Sequence, residues 1–237
     1  MIDIHCHILP DIDDGPEKIE ATLEMLRIAE KDGITHIVAT PHYRCQDVPT
    51  IKNIEERVSR VRREMEKDGM TISLLMGADI RLTYELLACL ASRAIPSINR
   101  SRYFLLELPD LLPPHLEEFI HETRIKGYVP IITHPERNYR LLESPQRSEA
   151  LWKAGALLQL TAMSITGEFG RQIKKYSLEL LKMGCVDFVA SDAHSTEHRV
   201  PVLSKAYKEV SSILDEESAQ QMFIDNPKAV IENRELA

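Results

Sequence analysis

Cysteine is scarce in this sequence, with four residues in 237, and none of the four stands in a C-x-x-C or other paired spacing. Cys6, Cys45, Cys89 and Cys185 are expected to be reduced thiols, which excludes a small secreted fold held by disulfide bonds. The chain also lacks a run of about 20 apolar residues, the length that a membrane-spanning helix needs. Its N-terminus has no basic segment followed by an apolar one, as a secretory signal peptide would have. We therefore expect a cytoplasmic protein that does not insert into a membrane.

Basic residues are in the minority: 29 lysines and arginines stand against 37 aspartates and glutamates, for a formal net charge of −8. Affinity for nucleic-acid backbones comes mainly from clustered lysine and arginine, so we expect no nucleic-acid partner. A hydrophobic fraction of 43% with 28% charged residues is ordinary for a globular protein. The length fits one domain over residues 1–237, of the size of an α/β barrel.

Short apolar segments alternate with amphipathic helical patterns along the whole chain. Such an alternation predicts successive β-α units and a parallel sheet or barrel. The first helix is expected to have Asp14 as its N-cap and Pro16 in its first turn. Seven strands are predicted, at about residues 1–4, 34–40, 71–76, 103–107, 128–133, 156–160 and 186–190. The predicted fold class is therefore α/β, with about seven β-α units.

Histidines and carboxylates follow nearly every predicted strand. They are His5 and His7 after the first strand, His42 after the second, Asp79 after the third, Glu107 after the fourth, His134 after the fifth, and Asp192 and His194 after the seventh. Any one of them could be an ordinary helix cap. The carboxyl ends of parallel strands meet on one face, however, where barrel enzymes assemble their active sites. The joint placement predicts a metal cluster on that face.

The number of candidate ligands indicates the kind of metal site. With Asp14 from the acidic turn after His7, the set exceeds the roughly four ligands of a single zinc ion. Two or three ions bridged by carboxylates are implied, and such sites mainly hydrolyse phosphate esters by activating water, without a phosphoenzyme. Arg137 and Arg199 follow predicted ligands, and Arg81 follows Asp79. Because a guanidinium matches phosphate oxygens, these three arginines are candidate phosphate-binding residues.

Five motifs extend this pattern over residues 2 to 194. They are D-I-H-C-H-I-L-P-D-I-D-D-G-P, G-I-T-H-I-V-A-T-P-H, L-L-E-L-P, I-I-T-H-P-E-R and S-D-A-H. In order and spacing they resemble the PHP superfamily, named for polymerase and histidinol phosphatase. Within that superfamily the chain is most similar to the bacterial manganese-dependent protein-tyrosine phosphatases of the CpsB/YwqE type.

The resemblance implies a PHP fold, which is a distorted TIM-like (β/α)7 barrel with its metal site at the C-terminal ends of the strands. It implies a trinuclear centre that holds two or three Mn2+ ions, with Fe, Zn or Mg as substitutes. It also implies hydrolysis of phosphotyrosine on proteins, especially on the tyrosine-rich tail of a bacterial tyrosine kinase that controls capsule or exopolysaccharide synthesis.

The family's site residues can be carried over to matching positions of this chain. The implied ligands are His5, His7 and Asp192 for the first ion, Asp79 as a bridge to the second, Glu107 and His134 for the second, and Asp14, His42 and His194 for the third. Arg137 and Arg199 are the implied catalytic, phosphate-binding residues. The family usually has glutamate where Asp79 stands, and aspartate is one methylene shorter. This difference predicts either a closer backbone or an altered bridge.

Three rival functions make different demands on the sequence. A cysteine-dependent tyrosine phosphatase needs a C-x5-R loop, and no cysteine here has an arginine six positions later. A small-molecule phosphatase of the PHP superfamily, such as one acting on histidinol phosphate, stays open because ligands alone do not define a substrate. A non-catalytic module is disfavoured, because all nine positions hold a residue type that can bind a metal.

Overall fold

Nine short parallel strands occupy seven positions around a barrel in the computed structural model, which describes residues 1–236. The strands are β1 (Ile2–Cys6), β2 (His36–Ala39), β3 (His42–Tyr43), β4 (Ser73–Met76), β5 (Asp79–Arg81), β6 (Tyr103–Glu107), β7 (Val129–Thr133), β8 (Leu157–Thr161) and β9 (Phe188–Ala190). They pair in two sheets, with the orders β1-β2-β4 and β3-β5-β6-β7-β8-β9. Every pairing between them is parallel.

Backbone hydrogen bonds close the barrel between its first and last strands. The His7 amide donates to the Ala193 carbonyl at 2.8 Å, and the Asp192 amide donates to the His5 carbonyl at 2.8 Å. β3 and β5 continue the paths of β2 and β4, which joins the two sheets on the other side. The α/β barrel fold that the sequence predicted is therefore confirmed.

The second and third strand positions of the barrel each consist of two segments. Pro41 follows the end of β2 and has no N–H to donate to a ladder, and β4 is separated from β5 by Gly77 and Ala78. A Cβ at Gly77 would lie 2.8 Å from Val38 Cγ1, so the close approach there requires glycine. The predicted ends of these strands agree with the structure within one residue, but a second short segment, which was not predicted, follows each of them. His42 and Asp79 begin these second segments, and they face each other in register.

Alternate residues of the strands fill two different cores. Ile4, Leu105, Ile131 and Phe188 belong to a small cluster inside the barrel. Their neighbours along the strands, such as Leu106, pack outward against the helices in a much larger cluster. This period of two is what a strand buried on both faces requires. The polar site therefore lies at one end of the barrel, above this inner hydrophobic cluster.

Helices connect the strands and cover the barrel. They are α1 (Ile19–Lys31), α2 (Ile51–Lys67), α3 (Leu86–Ala91), α4 (Leu116–Ile125), α5 (Pro145–Lys153), α6 (Ala162–Thr166), α7 (Arg171–Lys182), α8 (Ser204–Ile213), α9 (Glu216–Gln220) and α10 (Asn226–Ile231). The predicted start of the first helix is wrong. Its N-cap is Lys18, not Asp14, and Pro16 precedes the helix, because the acidic turn extends toward the barrel mouth instead. Across residues 1–236, none of the helices has the length and apolar character needed to cross a membrane.

Candidate metal centre and active site

The two histidines of the first strand converge with Asp192. Nε2 of His5 and Nε2 of His7 are 3.2 Å apart, and they lie 3.4 and 3.6 Å from Asp192 Oδ1. Ligand atoms that share one cation at about 2.1 Å are separated by roughly 3.0–3.5 Å. Cys6, between the two histidines, is buried in the outer core. The three side chains therefore form a group that could hold one divalent ion.

Asp79 is the centre of a second group. Its Oδ1 accepts a hydrogen bond from Thr133 Oγ1 at 3.1 Å, whereas Oδ2 is buried and accepts none from residues 1–236. Three imidazole nitrogens surround that oxygen, from His42 at 3.6 Å, His5 at 3.8 Å and His134 at 3.9 Å. These distances are too long for hydrogen bonds. A buried carboxylate oxygen ringed by ring nitrogens at this spacing fits the coordination sphere of a cation.

Glu107 joins the Asp79 group from the edge. Its Oε2 lies 3.9 Å from Nδ1 of His42, so Glu107 groups with His42 and Asp79. His134 reaches Asp79 from the other side, together with His5. Asp79 is thus within reach of both predicted partners of the second ion, although it is shorter than the glutamate expected there.

A third group lies nearer to solvent. Asp14 Oδ1 is 3.2 Å from Nε2 of His194 and 3.6 Å from Nε2 of His42. Asp14 is 61% exposed, and the His194 side chain is only 8% exposed. Because His42 presents one nitrogen to Asp14 and the other to Asp79, it lies between the second and third groups. All nine predicted ligands are thus brought together at the carboxyl end of the barrel.

Buried residues behind the ligands fix the orientation of two imidazoles. Nδ1 of His7 bonds Asp13 Oδ2 at 2.7 Å, and Nδ1 of His5 bonds Gln159 Oε1 at 2.7 Å. Both partners can only accept through these oxygens, so Nδ1 carries the proton and Nε2 is left to bind a metal. Asp13 and Gln159 were not predicted as site residues. The only signal for Gln159 was a lone amide in the apolar segment L-L-Q-L-T.

Two of the predicted ligands have an unusual backbone conformation. His134 has φ 36° and Asp192 has φ 51°, both in the left-handed region. Residues other than glycine have a higher conformational energy in this region, and residues with such a backbone conformation cluster at functional sites. Each follows the last residue of a strand or lies two residues beyond it, where the chain turns sharply toward the barrel mouth. The strain places both side chains over the interior.

Burial and neighbouring charges shift the pKa values of the cluster. Burial lowers the pKa of His5 to about 4, although the charges of Asp192 and Asp79 oppose the shift. Burial, followed by the charge of His7, lowers the pKa of His194 to about 3. Both imidazoles are therefore neutral near pH 7, which is the form that binds a metal. Burial alone would raise the pKa of Asp192, but the neighbouring imidazoles, His5 first among them, and the Arg137 guanidinium favour the carboxylate and hold that pKa well below the usual range.

Two arginines meet at Asp192. Nη1 of Arg137 donates to Asp192 Oδ2, and Nη2 of Arg199 lies 2.5 Å from the same oxygen. The Arg137 guanidinium also stacks over Phe169 at 5.1 Å from the ring centroid. Nε of Arg199 is buried and donates to no acceptor within residues 1–236. Both side chains therefore keep unused donors beside the ligand groups.

Arg81, the third arginine of the predicted set, is paired with a ligand candidate. Its Nη1 donates to Glu107 Oε1 at 2.7 Å. It lines the same cavity as Asp14, His42 and Glu107. In this structure Arg81 thus neutralises Glu107 at the edge of the site, away from the two arginines at Asp192.

Comparison with known proteins then places the chain in a family. The model of a family described as capsular polysaccharide synthesis, CpsB/CapC, matches residues 1–232. The chain belongs to the CpsB/CapC family. Tyrosine-protein phosphatase YwqE of Bacillus subtilis (strain 168), a similar protein, is 36% identical over 241 residues, covering 100% of this chain and 91% of YwqE. CapC of Staphylococcus aureus is 34% identical over 241 residues, covering 100% of this chain and 93% of CapC.

A solved structure agrees with these sequence relationships. It comes from crystallographic work on YwqE of Bacillus subtilis and CpsB of Streptococcus pneumoniae, which are described there as unique metal-dependent tyrosine phosphatases. It matches with a TM-score of 0.95 and 33% identity, covering 100% of this chain and 96% of the other. The resemblance to CpsB/YwqE that the motifs predicted is confirmed, both in sequence and in fold.

Proposed function

We propose that this protein is a metal-dependent protein-tyrosine phosphatase. The observation that carries the proposal is the buried Oδ2 of Asp79, which accepts no hydrogen bond from residues 1–236 and is surrounded by imidazole nitrogens. Membership of the CpsB/CapC family and similarity to tyrosine-protein phosphatase YwqE support the substrate class. The substrate is a phosphotyrosine protein, and we expect it to be the tyrosine-rich tail of a bacterial kinase that controls capsule or exopolysaccharide synthesis.

We assign the nine clustered side chains to two or three Mn2+ ions. The proposed sets are His5, His7 and Asp192 for one ion, Asp79 with Glu107 and His134 for a second, and Asp14, His42 and His194 for a third. The first and third sets each lie within one group of neighbouring ligand atoms, whereas Asp79 groups with His134 and with Glu107 separately. Imidazole and carboxylate are ligand types that manganese, iron and zinc all accept, and magnesium accepts the carboxylates. Bound divalent cations would supply positive charge that activates water and stabilises the phosphoryl oxygens.

The arginines are assigned to the phosphoryl group. A guanidinium has five N–H donors, and Asp192 Oδ2 takes one from each of Arg137 and Arg199. The remaining donors, with Nε of Arg199 among them, can bind two phosphoryl oxygens side by side. Phe169 holds the plane of the Arg137 guanidinium. The arginines would thereby orient the phosphate. We assign them to the catalytic step as well, because they can stabilise negative charge on the phosphoryl oxygens in the transition state. We assign Arg81 a weaker contact with the substrate phosphate, at the edge of the site beside Glu107.

We place the reaction in the cytoplasm and in a single domain. The four cysteines are free and buried, which suits a reducing compartment. The strands that carry the ligands run from the first residues to Ala190 around one barrel, so a smaller unit would lose part of the site.

The substrate class is tested by comparing two phosphate esters. Metal-stripped protein is supplied with Mn2+ and assayed with a tyrosine-phosphorylated peptide and with histidinol phosphate. We expect turnover of the peptide with a kcat/KM at least about tenfold higher, and no turnover before manganese is added. A preference for histidinol phosphate would contradict the proposal and make the protein a small-molecule phosphatase with the same metal chemistry.

A further inference from the structure

A groove lined by arginines adjoins the candidate metal centre. The cavity that contains Asp14, His42 and Glu107 has a volume of about 450 Å³. A second cavity of about 490 Å³ lies beside it and is lined by arginines of α2. Both cavities have Ile12, Val48 and Pro49 in their walls. The two cavities are therefore adjacent, and together they extend from the metal ligands to α2; they are referred to below as the α2 groove.

The end of the α2 groove at the helix carries positive charge that no neighbouring carboxylate within residues 1–236 pairs with. Arg57, Arg60 and Arg63 line it, and their spacing of three residues places them along one face of the helix. Arg57 is bound to Asp11, with Nη2 3.1 Å from Oδ2. Arg60 and Arg63 are exposed, and neither has a carboxylate within 4.0 Å in the described chain. Two cationic side chains are thus available to a ligand.

Other basic residues of α2 are already engaged elsewhere. Arg62 donates to the Leu74 carbonyl at 2.7 Å and 3.0 Å, and Lys67 is paired with Glu64 at 2.8 Å. Glu56, the carboxylate of α2 in the groove wall, lies 3.8 Å from Lys52. The unpaired positive charge of the helix is therefore concentrated at Arg60 and Arg63, on the side that lines the groove.

We infer that the α2 groove binds an acidic segment of the substrate next to the phosphotyrosine. This inference rests on the proposed phosphatase function. The chain as a whole has a net charge of −8, so an acidic substrate would be repelled if no local positive surface received it. The first and last of the three arginines are six positions apart on the helix, which is a rise of about 9 Å. An extended peptide covers that distance with about three residues. The matching ligand is a short run of aspartates or glutamates connected to the phosphotyrosine.

The test compares two phosphotyrosine peptides of equal length. In one peptide, three acidic residues stand on each side of the phosphotyrosine. In the other peptide, asparagine and glutamine occupy the same positions. The readout is the ratio of kcat/KM for the acidic peptide to that for the neutral peptide, with Mn2+ present. Because a ratio is measured, a general loss of activity cancels. Two exposed charge pairs correspond to a preference of about threefold to tenfold in the wild type.

The charge-reversal variant R60E/R63E should lower this ratio to one or below. A matched control, K175E/K182E on α7, makes the same change in net charge at exposed positions outside the groove, and should keep the wild-type ratio. The wild-type preference should also shrink at high salt.

Contrary outcomes separate the two proposals. Equal turnover of both peptides by the wild type, or a preference that survives in R60E/R63E, would overturn the groove inference and leave the phosphatase function intact. Loss of the preference in K175E/K182E as well would show an effect of net charge alone and would also overturn it. Turnover of neither peptide would refute the phosphatase function, and the groove inference with it. If the wild type turns over both peptides equally, and vesicles of anionic phosphatidylglycerol inhibit the wild type but not R60E/R63E, the groove binds a lipid surface instead.

Discussion

Asp13 shows how a residue outside the ligand set can control the metal centre. Its Oδ2 holds Nδ1 of His7 at 2.7 Å and the backbone N–H of His42 at 3.1 Å, while Oδ1 accepts from the Gly15 amide at 3.0 Å. One carboxylate thus fixes one proposed ligand by its side chain and another by its backbone. Burial opposes its charge, but His7 outweighs burial and lowers the pKa of Asp13. The residue is therefore ionised and positions both histidines.

Asp13→Ala should weaken metal binding without unfolding the barrel. His7 would lose the acceptor that keeps Nε2 free, and removal of such a partner typically lowers metal affinity about 10- to 100-fold. Equilibrium dialysis against Mn2+ measures the affinity, and circular dichroism checks the fold. Asp13→Asn retains one acceptor oxygen and should fall between the wild type and Asp13→Ala. Wild-type affinity in the alanine variant would show that Asp13 does not position the ligands.

At the scale of elements, Asp187 connects the start of β9 to β8 and α5. Its carboxylate accepts from the Leu158 amide at 2.8 Å and from Trp152 Nε1 at 3.4 Å. Burial raises the pKa of Asp187 to about 6, although these hydrogen bonds oppose the shift. Because an unfolded aspartate has a pKa of about 3.9, the folded chain holds this proton more tightly than the unfolded chain does. The contribution of Asp187 to stability is therefore full below about pH 4 and is lost as the pH rises through about 6.

Asp187→Asn should remove this pH dependence, because the amide does not titrate. The free energy of unfolding of the wild type, minus that of the variant, should fall by about 1–3 kcal/mol between pH 4 and pH 7. Urea unfolding of metal-free protein at both pH values measures it. The difference between the two proteins isolates this residue from all other titrating groups. A difference that is constant with pH would contradict the raised pKa.

The elements also show what the sequence could and could not predict. The barrel and the face that carries the site were predicted correctly. Buried strands appear in the sequence as short apolar segments, and the histidines and carboxylates stand at the ends of those segments. The short segments β3 and β5 beyond Pro41 and Gly77 were missed, since only two or three residues form each of them and neither is an apolar run. Asp14 was expected to cap α1, because an acidic residue shortly before a proline is typical of a helix start. The same residue type can also bind a metal, so the sequence does not decide between the two roles. Only its distance to His194 shows where it points.

Long-range contacts explain the other residues that the sequence did not reveal. Gln159 lies 154 positions from His5, to which it is hydrogen-bonded, and no local pattern records such a pair. The convergence of Arg137 and Arg199 on Asp192 likewise depends on how the barrel closes. The residue types at the strand ends predicted which ligand candidates meet. The residues that hydrogen-bond to those ligands are seen only in the three-dimensional structure.

The whole barrel is needed to build the metal centre. The ligand candidates come from β1, β3, β5, β6 and the turns after β1, β7 and β9, so each strand position except that of β8 contributes directly. β8 contributes Gln159, which holds His5. Cations bound by all of these elements would bind the folded chain far better than the unfolded one. The function proposed here is thus a property of the closed barrel and of no single motif.

The most direct test of the central claim is the rate of phosphate release from a phosphotyrosine peptide as a function of Mn2+ bound per chain. We expect no activity in metal-stripped protein and a rise that follows metal occupancy. Asp192→Asn should lose both metal and activity, while Arg137→Ala should keep its metal and lose roughly 10- to 100-fold in kcat/KM. Full activity in the stripped protein, or in Asp192→Asn, would contradict the metal-dependent mechanism.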